Sequence, residues 1–170
     1  MGAKNSATST GNKQAPDNKP MHKCGECKSY GSLKNSGKAS RADGSRVWER
    51  DHIPAKATLF KRAKVMFNTM SADVYECAKG KIESRGMAIV IPRKSHRKFS
   101  KTCGSKNTKK QIRQDAKSKD SMTAAVNRDT KALQDHLNDT DCGPAYADAV
   151  KELKKFDFDQ MIRDAVEECK

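Results

Sequence analysis

The sequence predicts an α+β protein, and three observations predict it. Met87-Ala88-Ile89-Val90-Ile91 is a short apolar run rich in β-branched residues and closed by Pro92, which reads as a buried strand. The segment Arg46-Val47-Trp48-Glu49-Arg50 reads as a second strand, ending in Asp51-His52-Ile53. After residue 110 the apolar positions recur at helical spacing instead.

Taken in order, residues 1–20 are Asn, Ser, Thr, Lys and Gly with little apolar content, as expected of a disordered arm or linker. Residues 21–53 hold a CxxC at Cys24 and Cys27, and Gly31, Gly37 and Gly44 suit turns between short extended pieces. Pro54 starts a helix, where its missing N–H costs nothing, with Ala57, Phe60, Lys61, Lys64 and Phe67 at helical spacing. A second short helix over residues 72–80 is expected to stop at Gly80. A basic stretch from Arg93 to Lys110 follows the apolar strand. Three stripes come last: Val126, Thr130, Leu133 and Leu137; then Tyr146, Ala149, Val150 and Leu153; then Phe158, Met161, Ile162, Ala165 and Val166, with Asp157 as N-cap. The expected organisation is an arm over 1–20, a core over 21–110 and a helical subdomain over 111–170.

Composition narrows the function classes. No run of 18 apolar residues exists, so no membrane span is expected. The first 20 residues have no apolar segment of the kind a secretory signal carries. Hydrophobic residues make up 35% and aromatics 5%, a thin supply for a core that a structural metal or a partner would help. The net charge is +14, and it is uneven: residues 1–110 carry 25 Lys and Arg against 8 Asp and Glu, whereas residues 111–170 carry 10 against 13. A positive field concentrated in one part attracts a polyanion, and nucleic acid is the expected partner.

Two groups of residues carry chemistry. Cys24 and Cys27 offer two thiolates at zinc-ligand spacing, with Cys103, Cys77 or His22 to complete a tetrahedral site. Six cysteines would also allow disulfides, but a reduced compartment favours zinc and leaves Cys142 and Cys169 as ordinary thiols. Asp51 and His52 stand at a strand end before a helix, where neighbouring side chains point in opposite directions. The carboxylate suits Mg²⁺ or Mn²⁺, and a neutral imidazole can take a proton from water near pH 7. Arg50, Arg93, Arg97, Lys98, Lys101 and Lys106 could grip a phosphate backbone without reading its sequence. Trp48 fits the core better than a base-stacking role.

The CxxC followed by Asp51-His52-Ile53-Pro54 resembles the HNH and endonuclease VII-like nucleases, in which a ββα-metal finger with a zinc knuckle grips one catalytic ion. The resemblance covers residues 22–110 and implies that Asp51 binds the metal (Mg²⁺ or Mn²⁺, with Zn²⁺ as a further candidate) and His52 activates water. It implies a further metal ligand, for which His96 and Asn107 are the candidates, and a zinc knuckle at Cys24 and Cys27, for which Cys103 is the candidate third ligand. Ile91-Pro92 with His96, and Thr102, Gly104 and Asn107, further resemble toxin domains of bacterial polymorphic and type VI secretion systems. That implies an antibacterial DNA endonuclease without strong sequence specificity, made in the bacterial cytoplasm, delivered without a general secretory signal and countered by an acidic immunity protein. The sequence departs from the pattern in lacking a second CxxC and in the long insertion between His52 and His96. A non-catalytic zinc-stapled nucleic-acid-binding module is the alternative, and RNA cleavage a further one.

Overall fold

The computed structural model describes residues 24–34, 47–104 and 106–170. The expected arm over 1–20 and His22 lie outside the described residues. The elements run β1 (Cys27–Ser29), β2 (Trp48–His52), α1 (Lys56–Met66), α2 (Ala72–Arg85), β3 (Met87–Pro92), α3 (Arg93–Phe99), α4 (Lys109–Asp115), α5 (Lys119–Leu137), α6 (Gly143–Lys154) and α7 (Phe158–Glu167). The fold is α+β, with a small sheet and mostly helices.

The apolar run forms the middle strand, with order β1-β3-β2 and both pairings antiparallel. Its composition explains the position, because only a strand covered on both faces can be apolar throughout. Ile89 and Ile91 face the main core, while Ala88 and Val90 face a smaller cluster with Leu33, Tyr30 and Trp48. Trp48 is therefore a packing residue. On the edge strand β2, Glu49 and Asp51 pair with Ile91 and Ile89, and Arg50 and His52 pair with Val90 and Ala88. Adjacent Asp51 and His52 thus take opposite faces, as a two-residue period requires.

The three C-terminal stripes form α5, α6 and α7, and Asp157 caps α7 by accepting from the Gln160 amide at 3.0 Å. They do not form a separate core. Ile53, Leu59, Ile82 and Ile89 belong to the same buried cluster as Leu133, Tyr146, Leu153 and Ile162. A nearly buried ion pair fastens α1 to α7, with Arg62 bonding both Asp159 oxygens at 2.9 and 2.7 Å.

Several expectations need correction. The helix over 72–80 continues through Gly80 to Arg85 and stops at Gly86. Gly80 faces open space, and one exposed glycine costs only about 1 kcal/mol, too little to end a helix that packs on α7. In α1 the buried residues are Thr58, Leu59 and Ala63, so the inner face is turned from the expected one. The basic stretch contains α3, whose Phe99 ring stacks on His136 of α5 with centroids 3.6 Å apart. Four cysteines form disulfides, Cys24 with Cys142 and Cys77 with Cys169, so neither Cys142 nor Cys169 is an ordinary thiol.

Cys77–Cys169 spans 92 residues and joins α2 to the end of α7. A cross-link over so long a loop typically contributes about 2–5 kcal/mol. Replacing both cysteines by serine should lower the stability measured by urea unfolding by that order, with the folded spectrum retained.

Candidate active site

A cleft of about 640 Å³ opens along the outer edge of β2, lined by Asp51, His52, His96, Thr102, Cys103 and Asn107 among others. Three elements build it. β2 ends in Asp51 and His52, α3 leaves β3 and crosses back over the face that carries Glu49 and Asp51, and the segment after α3 closes the wall.

Asp51 is 1% exposed and is surrounded by donors. Its Oδ1 accepts from Thr102 Oγ1 at 2.6 Å and from Ser100 Oγ at 3.1 Å. His96 Nε2 lies 3.2 Å from the same oxygen, and His96 Nδ1 lies 2.6 Å from Glu49 Oε2. One imidazole therefore spans two carboxylates two residues apart on one strand face. Burial pulls the His96 pKa down, but hydrogen bonds and charges from Asp51 and Glu49 outweigh it, and the net shift is upward. Burial likewise pushes Glu49 up, and its bonds to His96 and Arg97 more than reverse this.

His52 is in the opposite condition. It packs against Tyr30, with ring centroids 4.6 Å apart. Its Nε2 lies 3.1 Å from the Glu83 carbonyl oxygen, which can only accept, so that nitrogen carries the proton. Nδ1 is then the free acceptor, and it is buried without a partner. Burial lowers the His52 pKa despite the Glu83 carbonyl and the charges of Glu83 and Asp51, so the ring is neutral near pH 7. Gly86 makes room for it, since a Cβ there would fall 2.5 Å from His52 Cε1. Across the cleft, the Asn107 amide has both Oδ1 and Nδ2 buried without partners.

The cleft thus brings together all four expected catalytic residues, Asp51, His52, His96 and Asn107. Among the described residues no three His, Cys, Asp or Glu side chains form a group that could hold a metal. Asp51 and His96 are a pair, and the third donor on hand is an amide. The expected zinc set is not assembled. Cys24 is bonded to Cys142, Cys103 lines the cleft, and burial followed by the Glu152 charge pushes the Cys27 thiol up to about 11.

Most of the expected phosphate contacts are otherwise engaged. Arg93 and Arg97 pair with Glu49, and Lys106 Nζ bonds the carbonyls of Arg97, Lys98 and Ser100 at the end of α3. Lys98 lies over the Phe99 ring, and Lys101 is exposed. Arg50 lines the cleft, though its guanidinium bonds the Tyr30 carbonyl at 2.9 Å and covers that ring. Lys56 and Lys109 are basic lining residues that the sequence did not single out. Glu49, Ser100 and the Glu83 carbonyl were missed as well. Only Glu49 had a signal, at two residues before Asp51 on the same strand face.

The chain matches no protein-family model, no curated protein and no solved structure.

The His96–Glu49 pair predicts a pH signature. A raised histidine contributes stability in full below its ordinary 6.5 and loses it as pH rises through the folded value. A depressed carboxyl contributes above its ordinary 4.5 and loses it as pH falls through the folded value. Glu49→Gln should therefore cost more stability at about pH 5.5 than at about pH 9. Equal losses at the two pH values in urea titrations would show that the pair is not ionic.

Proposed function

We propose that this protein is a metal-dependent endonuclease that hydrolyses DNA phosphodiesters without strong sequence preference. The observation that carries the reading is the cleft itself. Asp51 and His96 stand 3.2 Å apart in it, beside a neutral His52 with an unpartnered Nδ1 and an Asn107 amide with two unpartnered atoms. The order β2, β3, α3 supports a ββα finger of the HNH kind, with α1 and α2 inserted between its strands.

The donor set fits a hard divalent ion such as Mg²⁺ or Mn²⁺, which a carboxylate oxygen, an amide oxygen and a neutral imidazole nitrogen can share. Asp51 Oδ1, His96 Nε2 and Asn107 Oδ1 would hold it, with Zn²⁺ as a further candidate. When bound, the ion stabilises charge on the phosphate and the leaving oxygen. His52 Nδ1 accepts the proton of the attacking water, while the Glu83 carbonyl keeps the ring in the required tautomer. Lys109 would hold a phosphate at the rim, joined by Lys56 and Arg50 on leaving the Glu83 carboxylate and the Tyr30 carbonyl that they contact in the structure.

A second reading is metal-free RNA cleavage. It is favoured by the opposed shifts of His52 and His96 in one cleft, which suit a base that deprotonates the ribose 2′-hydroxyl and an acid that protonates the leaving oxygen.

The toxin reading is also a proposal. Disulfides persist in oxidising compartments, which suits delivery out of the cytoplasm where the chain is made. The basic charge calls for an acidic immunity protein, and co-expressed acidic neighbours that never relieve toxicity would count against it.

Nicking of plasmid DNA with Mg²⁺ or Mn²⁺ tests the main reading. His52→Ala should lose about 10²–10⁴-fold in rate at saturating metal. Cleavage that survives a chelator, and acts on RNA alone, favours the second reading. Cleavage unchanged in His52→Ala removes both. At limiting metal, the rate should fall as pH drops through the raised His96 value, because the ligand must be deprotonated. At saturating metal it should fall only below the ordinary 6.5 of histidine, following His52.

A further inference from the structure

Residues 93–117 carry ten Lys and Arg against a single carboxylate, Asp115. The structure sorts those charges into two groups. Around α3, Arg93 and Arg97 turn to Glu49, and Lys106 bonds the carbonyls at the end of the helix. On α4 the cations are left free. Lys109, Lys110, Arg113 and Lys117 are exposed, and none of the four meets a carboxylate among the described residues. Helical spacing explains the sorting. At about 100° per residue, Lys109, Arg113, Lys117 and Lys110 fall within one sector of roughly 100°. The packed side lies opposite. Asp115 and Ala116 are buried, and Arg128 of α5 bonds both Asp115 oxygens at 2.9 and 3.0 Å. The one carboxylate of the stretch is thus turned inward, and the outward face is cationic. Lys109 lines the cleft together with Thr108 and Ile112, so the row of cations starts at the cleft. Ala116 keeps a right-handed helical conformation, which lets Lys117 continue the row. From Lys109 to Lys117 the rise is about 12 Å. That length matches roughly three to four phosphates along one strand of a duplex.

We propose that the outward face of α4 is a track for the phosphate backbone of double-stranded DNA, along which the duplex leaves the cleft. The proposal rests on the cleavage reading of the cleft and adds the form of the substrate. Phosphate contacts from Lys and Arg position a duplex without reading its bases. Proteins that hold unpaired strands add aromatic side chains on which successive bases stack. α4 has no aromatic residue, and the other outward side chain on it is Gln114. It therefore offers charge to a backbone and nothing to an exposed base.

The test is binding of a short labelled DNA duplex by the full chain, in chelator so that nothing is cut, read by fluorescence anisotropy over a series of salt concentrations. The triple variant Lys110→Gln, Arg113→Gln, Lys117→Gln should bind more weakly, and its slope of log affinity against log salt should flatten by about 3, one for each contact removed. The fold should hold, because the three side chains are exposed and glutamine forms helix nearly as well as lysine. Lys131→Gln, Lys151→Gln, Lys155→Gln removes the same charge from lysines paired with carboxylates on α5 and α6, and should keep the parent slope. The parent should bind the duplex more tightly than a single strand of the same sequence. An unchanged slope in the α4 variant overturns the proposal. So does an equal change in the α5 and α6 variant, which would make net charge the cause, and so does tighter binding of the single strand. An α4 variant that loses only binding to anionic phospholipid vesicles overturns it in favour of a lipid surface. Plasmid nicking reports on the cleft separately. A parent that binds along α4 but never nicks sinks the cleavage reading and leaves the track, whereas nicking with an unchanged α4 slope does the reverse.

Discussion

A buried carboxylate needs donors in place of the water it has lost, and Asp51 is the carboxylate around which this structure is arranged. Left unanswered, a buried charge costs several kcal/mol. Thr102, Ser100 and His96 all converge on one of its oxygens. That requirement fixes the path of the chain. α3 must cross back over β2 to deliver His96, and the segment after it must turn inward to deliver two hydroxyls. Glu49 then holds the far side of the His96 ring, and Arg93 and Arg97 satisfy Glu49. A local polar requirement thus dictates how a helix lies on a sheet.

The C-terminal helices serve that arrangement. α5 holds α3 from behind, through the stack of His136 on Phe99 and a 3.2 Å contact of His136 with Ser95. α6 covers the face of β3 opposite the small Leu33 cluster, and α7 closes on α1 and α2. A chain with little apolar content makes up the difference with cross-links. Two disulfides and the Arg62–Asp159 pair join elements distant in sequence.

What was legible in the sequence was what local chemistry determines. The apolar run can only be a covered strand, and three stripes at helical spacing can only be helices with one buried face. The opposed directions of Asp51 and His52 follow from strand geometry alone. What was not legible depends on partners far along the chain. Nothing near Cys24 points to Cys142, because the pairing exists only once α6 lies beside β1. α3 was hidden because its seven residues are mostly basic, and its support comes from Phe99 meeting His136 across 37 residues of sequence. Arg93 and Arg97 look like free cations in the sequence, because nothing local marks Glu49, the strand residue that gathers both.

The same carboxylates set a condition on any polyanion that enters. Asp51 lines the cleft that a scissile phosphate would have to enter, with Glu49 behind the His96 ring, and like charges at short range repel strongly in a partly dry cleft. Arg93 and Arg97 are engaged with Glu49, so they offset its charge without reaching into the cleft. On the proposed reading, Lys56, Lys109 and Arg50 at the cleft lining would attract a backbone to the rim. Something positive has to stand at Asp51 Oδ1. In the structure the basic group beside that oxygen is the His96 ring, with Nε2 3.2 Å away, which burial shifts down in pKa and its two carboxylate partners shift up by more. A divalent ion there would bring two positive charges to Asp51 and would need His96 as a neutral ligand. On the proposed reading, substrate affinity and cation affinity would be coupled through a single oxygen atom, favourably, because each would reduce the electrostatic cost of the other.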